Sequence, residues 1–221
     1  MSLDDLHYEV EQLRGEPASI IFVGDENDYG LNPTQPAAID SDDNIIVLNS
    51  LLDDVKEQCI AHELGHMWLK YSGLIEVRYP FSYEFRTPEQ YLALEINNTI
   101  SHIWVIELLR DRFGISSDYH LNQRKAIIQH VQDIEGLDSF QLHGMGIALF
   151  DYERTYPNST PEVQVVLQRC DKSIKSAYEA AKTHLTYRVS TTSYDKQKIA
   201  IHNLLAELGY PPTLFRIVHN K

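Results

Sequence analysis

Leu3, Leu6, Val10 and Leu13 fall on one helical stripe, which predicts an amphipathic helix over residues 3–14, closed by Gly15 and Pro17. The next apolar stretch, residues 18–23, is short and β-branched and predicts a strand. Residues 24–36 are rich in Asp, Asn, Gly and Pro and predict a loop. Two more short apolar runs, 37–40 and 44–49, flank the turn cluster Ser41-Asp42-Asp43-Asn44 and predict a hairpin over about 36–49. Ser50, with Asp53 three residues on, predicts a capped start to a helix over 51–71 that stops before Gly73. Residues 74–86 are aromatic-rich and show no period. Thr87-Pro88-Glu89-Gln90 combines an N-cap, a proline in the first turn and a capping-box Gln. It opens a long, very apolar helix over 88–113, ended by Gly114. Further helices are predicted over about 118–134, 138–153, 161–187 and 194–208, with breaks at Gly136, Pro157 and Gly209-Tyr210-Pro211-Pro212. All predicted strands precede residue 50. The class is therefore α+β: a small N-terminal sheet, antiparallel or mixed, followed by a helical C-terminal half. There are no internal repeats and no low-complexity segments.

The 221 residues are 43% hydrophobic and 23% charged, enough apolar material for a substantial core. The 19 Lys and Arg against 32 Asp and Glu give a net charge of −13. Such a surface repels phosphate backbones and anionic bilayers, so neither nucleic acid nor membrane is expected as a partner. The two cysteines, Cys59 and Cys170, do not make a disulfide framework and are expected as reduced thiols of a cytoplasmic protein. Neither a signal-like segment nor an apolar run long enough to span a bilayer stands out.

The chemistry concentrates in His62-Glu63-Leu64-Gly65-His66. Histidines four apart share one helix face and can converge on one Zn²⁺, while the intervening Glu63 lies beside the metal, where a general base is needed to take a proton from bound water. Metzincins continue with a glycine and a third histidine at set spacings. Leu69 and Ser72 stand there instead, which excludes that class. The third ligand must then come from another helix. Along 88–113 a narrow polar stripe, Glu95, Asn98, Thr99 and His102, interrupts an otherwise apolar circumference. A buried Glu is costly unless paired or metal-bound, so Glu95 is the expected third ligand. His102, two turns on, is its rival, or a neighbour that stabilises an oxyanion or orients another group.

Other residues attract weaker expectations. Cys59, three before His62, reads as a small core residue. Tyr79, Tyr83 and Tyr91 are possible oxyanion donors. His143 sits in Leu142-His143-Gly144-Met145-Gly146, whose glycines allow close packing or a bend. His120, His130, His184 and His202 read as surface or cap residues. Phosphate loops, nucleophile elbows and Cys-x-x-Cys pairs are missing, so a metal is the one cofactor suggested.

The motif followed by a Glu on the next helix resembles the gluzincin zinc metallopeptidases. The small size, the single short sheet and an edge-like strand at residues 45–48 are most similar to the minigluzincins and the ImmA/IrrE-type peptidases. The resemblance covers about residues 36–113. A zincin-like core over 1–115 is expected from it, and the helical region 116–221, expected to pack on that core, is not explained by the resemblance. It also implies Zn²⁺ held by His62, His66 and Glu95, Glu63 as base, and a peptide or protein substrate. Many gluzincins carry a carboxylate four residues after the ligand Glu, bonded to a zinc histidine. Thr99, beside Asn98, takes that place here. The substitution leaves room for a second reading, a zinc-binding regulatory or interaction module with little or no hydrolysis.

Overall fold

The structure is a computed structural model that describes residues 2–80, 87–130, 136–186 and 192–219. It is α+β, with eight α-helices, a three-stranded sheet and a two-stranded sheet among the described residues. The chain forms two compact units that interleave in sequence. One comprises the chain up to Gly73 with Trp104–Gln123; the other comprises Leu74–Ile103 with the chain from Arg124 onward. The sequence suggests a single boundary near residue 115.

In the first unit, helix α1 (Leu3–Arg14) opens with a reciprocal capping box between Ser2 and Asp5, buries Leu6 and Val10, and ends on Gly15 in the left-handed region. Strands β1 (Ile20–Val23), β2 (Ala37–Ile39) and β3 (Ile45–Leu48) form a sheet in the order β1-β3-β2. β1 runs parallel to β3, and β2 pairs antiparallel with it, Ala38 opposite Ile46, as the predicted hairpin. β3 is thus the central strand, buried along its whole length, and not the edge strand the sequence suggested. Its unbroken Ile-Ile-Val-Leu run is what a strand buried on both faces requires.

Helix α2 (Asp53–Tyr71) starts two residues later than predicted. Its N-cap is Leu52, which contributes no side-chain bond, because the Ser50 hydroxyl donates to Asp25 instead. α1 packs on α2, and the core joins Leu6, Val10, Ile45, Val47, Ala61, Leu64, Met67, Val105, Leu109 and Phe113. Lys70 and Tyr71 at the end of α2 hydrogen-bond the carboxylate of Asp43, which holds the hairpin turn with φ 59°.

Helix α3 (Pro88–Leu108) begins with the predicted box: Gln90 N–H donates to the Thr87 hydroxyl at 3.3 Å, and Thr87 N–H to the Gln90 amide oxygen at 3.0 Å. It runs unbroken past Ile103, widens into a π-helical turn over Leu109–Phe113 and stops at Gly114, φ 68°.

In the second unit the sequence reading missed a pair of strands. β4 (Ile75–Arg78) and β5 (Arg216–His219) pair antiparallel, Ile75 opposite His219. The α3 side chain Asn97 bonds both the N–H and the C=O of Val77, at 2.8 and 2.9 Å. The expected helix over 161–187 is two, α6 (Thr160–Arg169) and α7 (Lys172–His184). Cys170 is extended, and Asp171 turns its carboxylate to the Ser173 N–H at 2.6 Å, capping α7 and ending the continuous helix. α5 (Ser139–Thr155) lies against α7 where Gly146 meets the Ile174 carbonyl and Ala177, the close packing its glycines predict. α4 (Asp118–His130) and α8 (Tyr194–Glu207) fall near their predicted positions; residues 131–134 and 187 lie outside the described residues.

Candidate metal centre

One turn of α2 presents His62 and His66 on a single face. Their Nε2 atoms lie 3.1 Å apart, and the rings meet edge to face at 4.7 Å and 80°. Two ligands of a tetrahedral zinc, each about 2.0–2.1 Å from the ion, stand about 3.3–3.4 Å apart. The pair therefore fits a zinc ion with a shift of a few tenths of an ångström. Gly65, between them, allows α3 to come close. A Cβ at that position would lie 2.7 Å from Cγ1 of Val105. His102 precedes Val105 by three residues and so lies on the same face of α3.

Glu63 is half-buried, and burial pushes its carboxyl up to about 7. A carboxyl tuned there can both accept and return a proton near neutrality. Cys59, one turn before the motif, is buried. Burial, reinforced by the Glu63 charge, pushes its thiol up to about 12, in keeping with a core residue rather than a thiolate.

His120, read from the sequence as a surface or cap residue, is instead stacked on His62, centroids 4.2 Å apart and planes at 23°. The neighbouring residue explains its placement. Tyr119 N–H donates to the Gln58 side chain at 3.0 Å, and Gln58 stands one turn before His62 on α2. The Tyr119 hydroxyl reaches the Pro33 carbonyl at 3.3 Å. His62, His102 and His120 each offer one ligand atom, all within 4.8 Å of one another, a group that could hold a metal ion.

The polar stripe of α3 is buried as expected: Glu95, Thr99 and His102 are 4%, 0% and 2% exposed, and Asn98 is half-buried. Their partners were not legible. Glu95 accepts from the Arg124 guanidinium at 3.0 Å and is not one of the three grouped imidazoles. The Thr99 hydroxyl donates back to the Glu95 carbonyl at 2.7 Å, a local helix bond. The carboxylate that meets a histidine is Asp151 on α5, 2.6 Å from Nδ1 of His102. Arg124 also lies 3.5 Å from Asp151, so one guanidinium bridges two buried carboxylates. Burial alone would raise the Asp151 pKa. The charge and hydrogen bond of His102, with Arg124 and Arg154, outweigh it and hold the carboxylate far below its usual range.

Tyr91 packs its ring against Gly144; burial and the Glu95 charge push its hydroxyl well above the usual range against the opposing pull of Arg124. Tyr79 meets the Phe215 ring at 6.2 Å. Tyr83 and the side chain of His130 lie outside the described residues. His143 is bonded to the Tyr210 hydroxyl at 2.9 Å and His184 to Glu207 at 2.6 Å. Both cysteines are free and buried.

Asp151 had a signal that went unused: an acid inside the apolar run Ile147-Ala148-Leu149-Phe150-Asp151-Tyr152 must be paired. His120 had none, since it opens a polar helix. Among the described residues no helix is long and apolar enough to cross a membrane. The chain matches no protein-family model, no curated protein and no solved structure.

Proposed function

We propose that this chain is a zinc-dependent hydrolase of peptide bonds. His62 and His66 hold the metal together with an imidazole from the group that includes His102 and His120, and Glu63 is the general base. The observation that carries this reading is the Nε2 pair of His62 and His66 at 3.1 Å with Glu63 next in sequence to His62. Bound zinc would supply Lewis-acid polarisation of a carbonyl and acidify a coordinated water. Glu63 would serve as the base that takes a proton from the attacking water and passes it to the leaving amine. The half-burial of His62, Glu63 and His66 leaves the motif reachable from solvent, as a substrate requires.

The test is metal content of the purified protein by mass spectrometry, with cleavage of a peptide library, for wild type and Glu63→Gln. About one zinc per chain in both, with cleavage lost only in the variant, is expected. Full cleavage by Glu63→Gln would remove Glu63 as base. Zinc without cleavage in wild type would establish the regulatory module instead, and a wild type that binds no metal would overturn both.

A further inference from the structure

A bare sheet edge pairs with whatever strand it meets, so most folds close theirs off. β1 is a bare edge. The order β1-β3-β2 leaves it outermost in the three-stranded sheet. Ile45 N–H donates to the Ser19 carbonyl and Asn49 N–H to the Val23 carbonyl, each at 2.8 Å. Bonding residues alternate along a parallel pair, so positions 19, 21 and 23 turn to β3, and the N–H and C=O of Ile20 and Phe22 point outward. Among the described residues nothing bonds these groups. Ile20-Ile21-Phe22-Val23 also holds no proline and no charge to guard the edge. Phe22 is 51% exposed and Ile21 36%, and successive side chains fall on opposite faces of the strand. The other edge, β2, is better covered, with Ala37 buried and Ala38 and Ile39 half-buried.

The charge around β1 selects its partner. Segments 1–73 and 104–123 hold 18 Asp and Glu against 5 Lys and Arg, whereas the remaining residues hold 14 of each kind. The net −13 thus falls on the unit that contains β1. Glu16 precedes the strand with its side chain 66% exposed, and Asp25 and Glu26, both exposed, follow it. Arg14, the cation nearest in sequence, is engaged by Glu16 at 3.3 Å and by the Pro17 and Asp42 carbonyls at 2.6 and 2.8 Å. A second copy of this chain would bring the same acids to the edge and be repelled. A strand carrying Lys or Arg at its ends would be drawn in.

We infer that β1 docks an extended basic segment of another protein by strand addition. The main chain of that segment pairs with Ile20 and Phe22, its apolar side chains cover Ile21 and Phe22, and its cations meet Glu16, Asp25 and Glu26. The docking needs no metal and no residue of the His62–His66 motif.

The probe is a synthetic peptide of about eight residues alternating Lys with Val, titrated onto the full chain in chelator at low salt and followed by fluorescence anisotropy. Saturable binding is expected, weakened at least about tenfold in ~0.5 M salt. A Glu-Val peptide of the same length, and the Lys-Val peptide N-methylated throughout, should each bind at least about tenfold more weakly. With the probe bound, amide exchange followed by nuclear magnetic resonance should slow at least about tenfold at Ile20 and Phe22, and change less at Ile21 and Val23, which already face β3. Phe22→Pro removes an outward N–H without touching the bonds to β3, and should weaken binding at least about tenfold. Glu16→Gln with Glu26→Gln should weaken it about threefold and flatten its salt dependence. If Phe22→Pro fails to fold, Phe22→Lys, which sets a like charge on the edge, carries the comparison. Equal binding of the Glu-Val or the N-methylated peptide, or unchanged exchange at Ile20 and Phe22, would overturn the inference. So would no binding at all, or a dimer in sedimentation that Phe22→Pro dissociates, which would give the edge to a second copy of the chain.

Discussion

Gly65 is one of the two positions of the motif that carry no chemistry, and its replacement by Ala measures how closely α2 and α3 must pack there. An added Cβ would stand 2.7 Å from Cγ1 of Val105, against an ordinary carbon–carbon contact of about 3.5–4.0 Å. Val105 is fully buried and β-branched, so it has one comfortable rotamer in a helix and cannot swing aside. Relieving an overlap of about 1 Å by backbone shift costs about 1–3 kcal/mol. Ala is the better helix former by about 1 kcal/mol. The net loss is about 0–2 kcal/mol, and at 2–4 °C per kcal/mol for a chain of this size Tm should fall by up to about 8 °C. Thermal unfolding followed by circular dichroism in the presence of chelator reads this without a contribution from metal. The decisive arm is Val105→Ala, which alone costs about 2–3 kcal/mol by leaving a cavity. In that background Gly65→Ala fills the space, and its effect should become neutral or stabilising by up to about 1 kcal/mol. A rise in Tm for Gly65→Ala alone, or an equal penalty in both backgrounds, would refute the close approach at Gly65.

Two further predictions concern the ionisable groups of the first unit. Burial raises the Asp43 pKa, but hydrogen bonds from Lys70 and Tyr71 and the charges of Lys70 and Arg14 outweigh it, so the folded value lies below the ordinary one. The stability it contributes is therefore full above about pH 4 and is lost as pH falls through the lower folded value. Asp43→Asn, tolerated at φ 59°, should cost about 1–2 kcal/mol in urea unfolding at pH 7, and the gap should narrow by pH 3; a gap that does not change with pH would contradict this. Burial raises the Cys59 thiol to about 12 and also raises Cys170. Native protein at pH 8 should resist iodoacetamide at both positions until unfolded, and rapid native labelling of Cys59 would contradict its core placement.

The parts of the fold written in local signals were legible. The stripe of α1, the Thr87-Pro88 box of α3, the turn between β2 and β3 and the left-handed stops at Gly15 and Gly114 each depend on residues within one or two turns of one another. The features that escaped depend on distant partners. Ile75–Arg78 alternates too briefly to declare itself a strand until Arg216–His219 pairs with it. Ser50 looks like a helix cap until Asp25, from another loop, takes its hydroxyl. The break at Cys170–Asp171 had a local cause, an Asp able to cap a new helix, but the surrounding helical period outweighed it.

The same division runs through the site. His62, Glu63 and His66 lie within five residues, so helix geometry alone sets their faces, and the sequence placed them together without help from the rest of the chain. On α3 the sequence could find the buried polar stripe but not choose among its members, because burial creates the same demand for a partner at Glu95 and at His102. What separates them comes from elsewhere: a guanidinium 29 residues on meets Glu95, and a carboxylate 49 residues on meets His102. A buried carboxylate met by a cation has its charge compensated. A buried imidazole met by a carboxylate is made more basic at its other nitrogen, and its capacity to ligate increases. Both demands are met by partners tens of residues away in the chain, which is why the buried stripe was legible in the sequence and its partners were not.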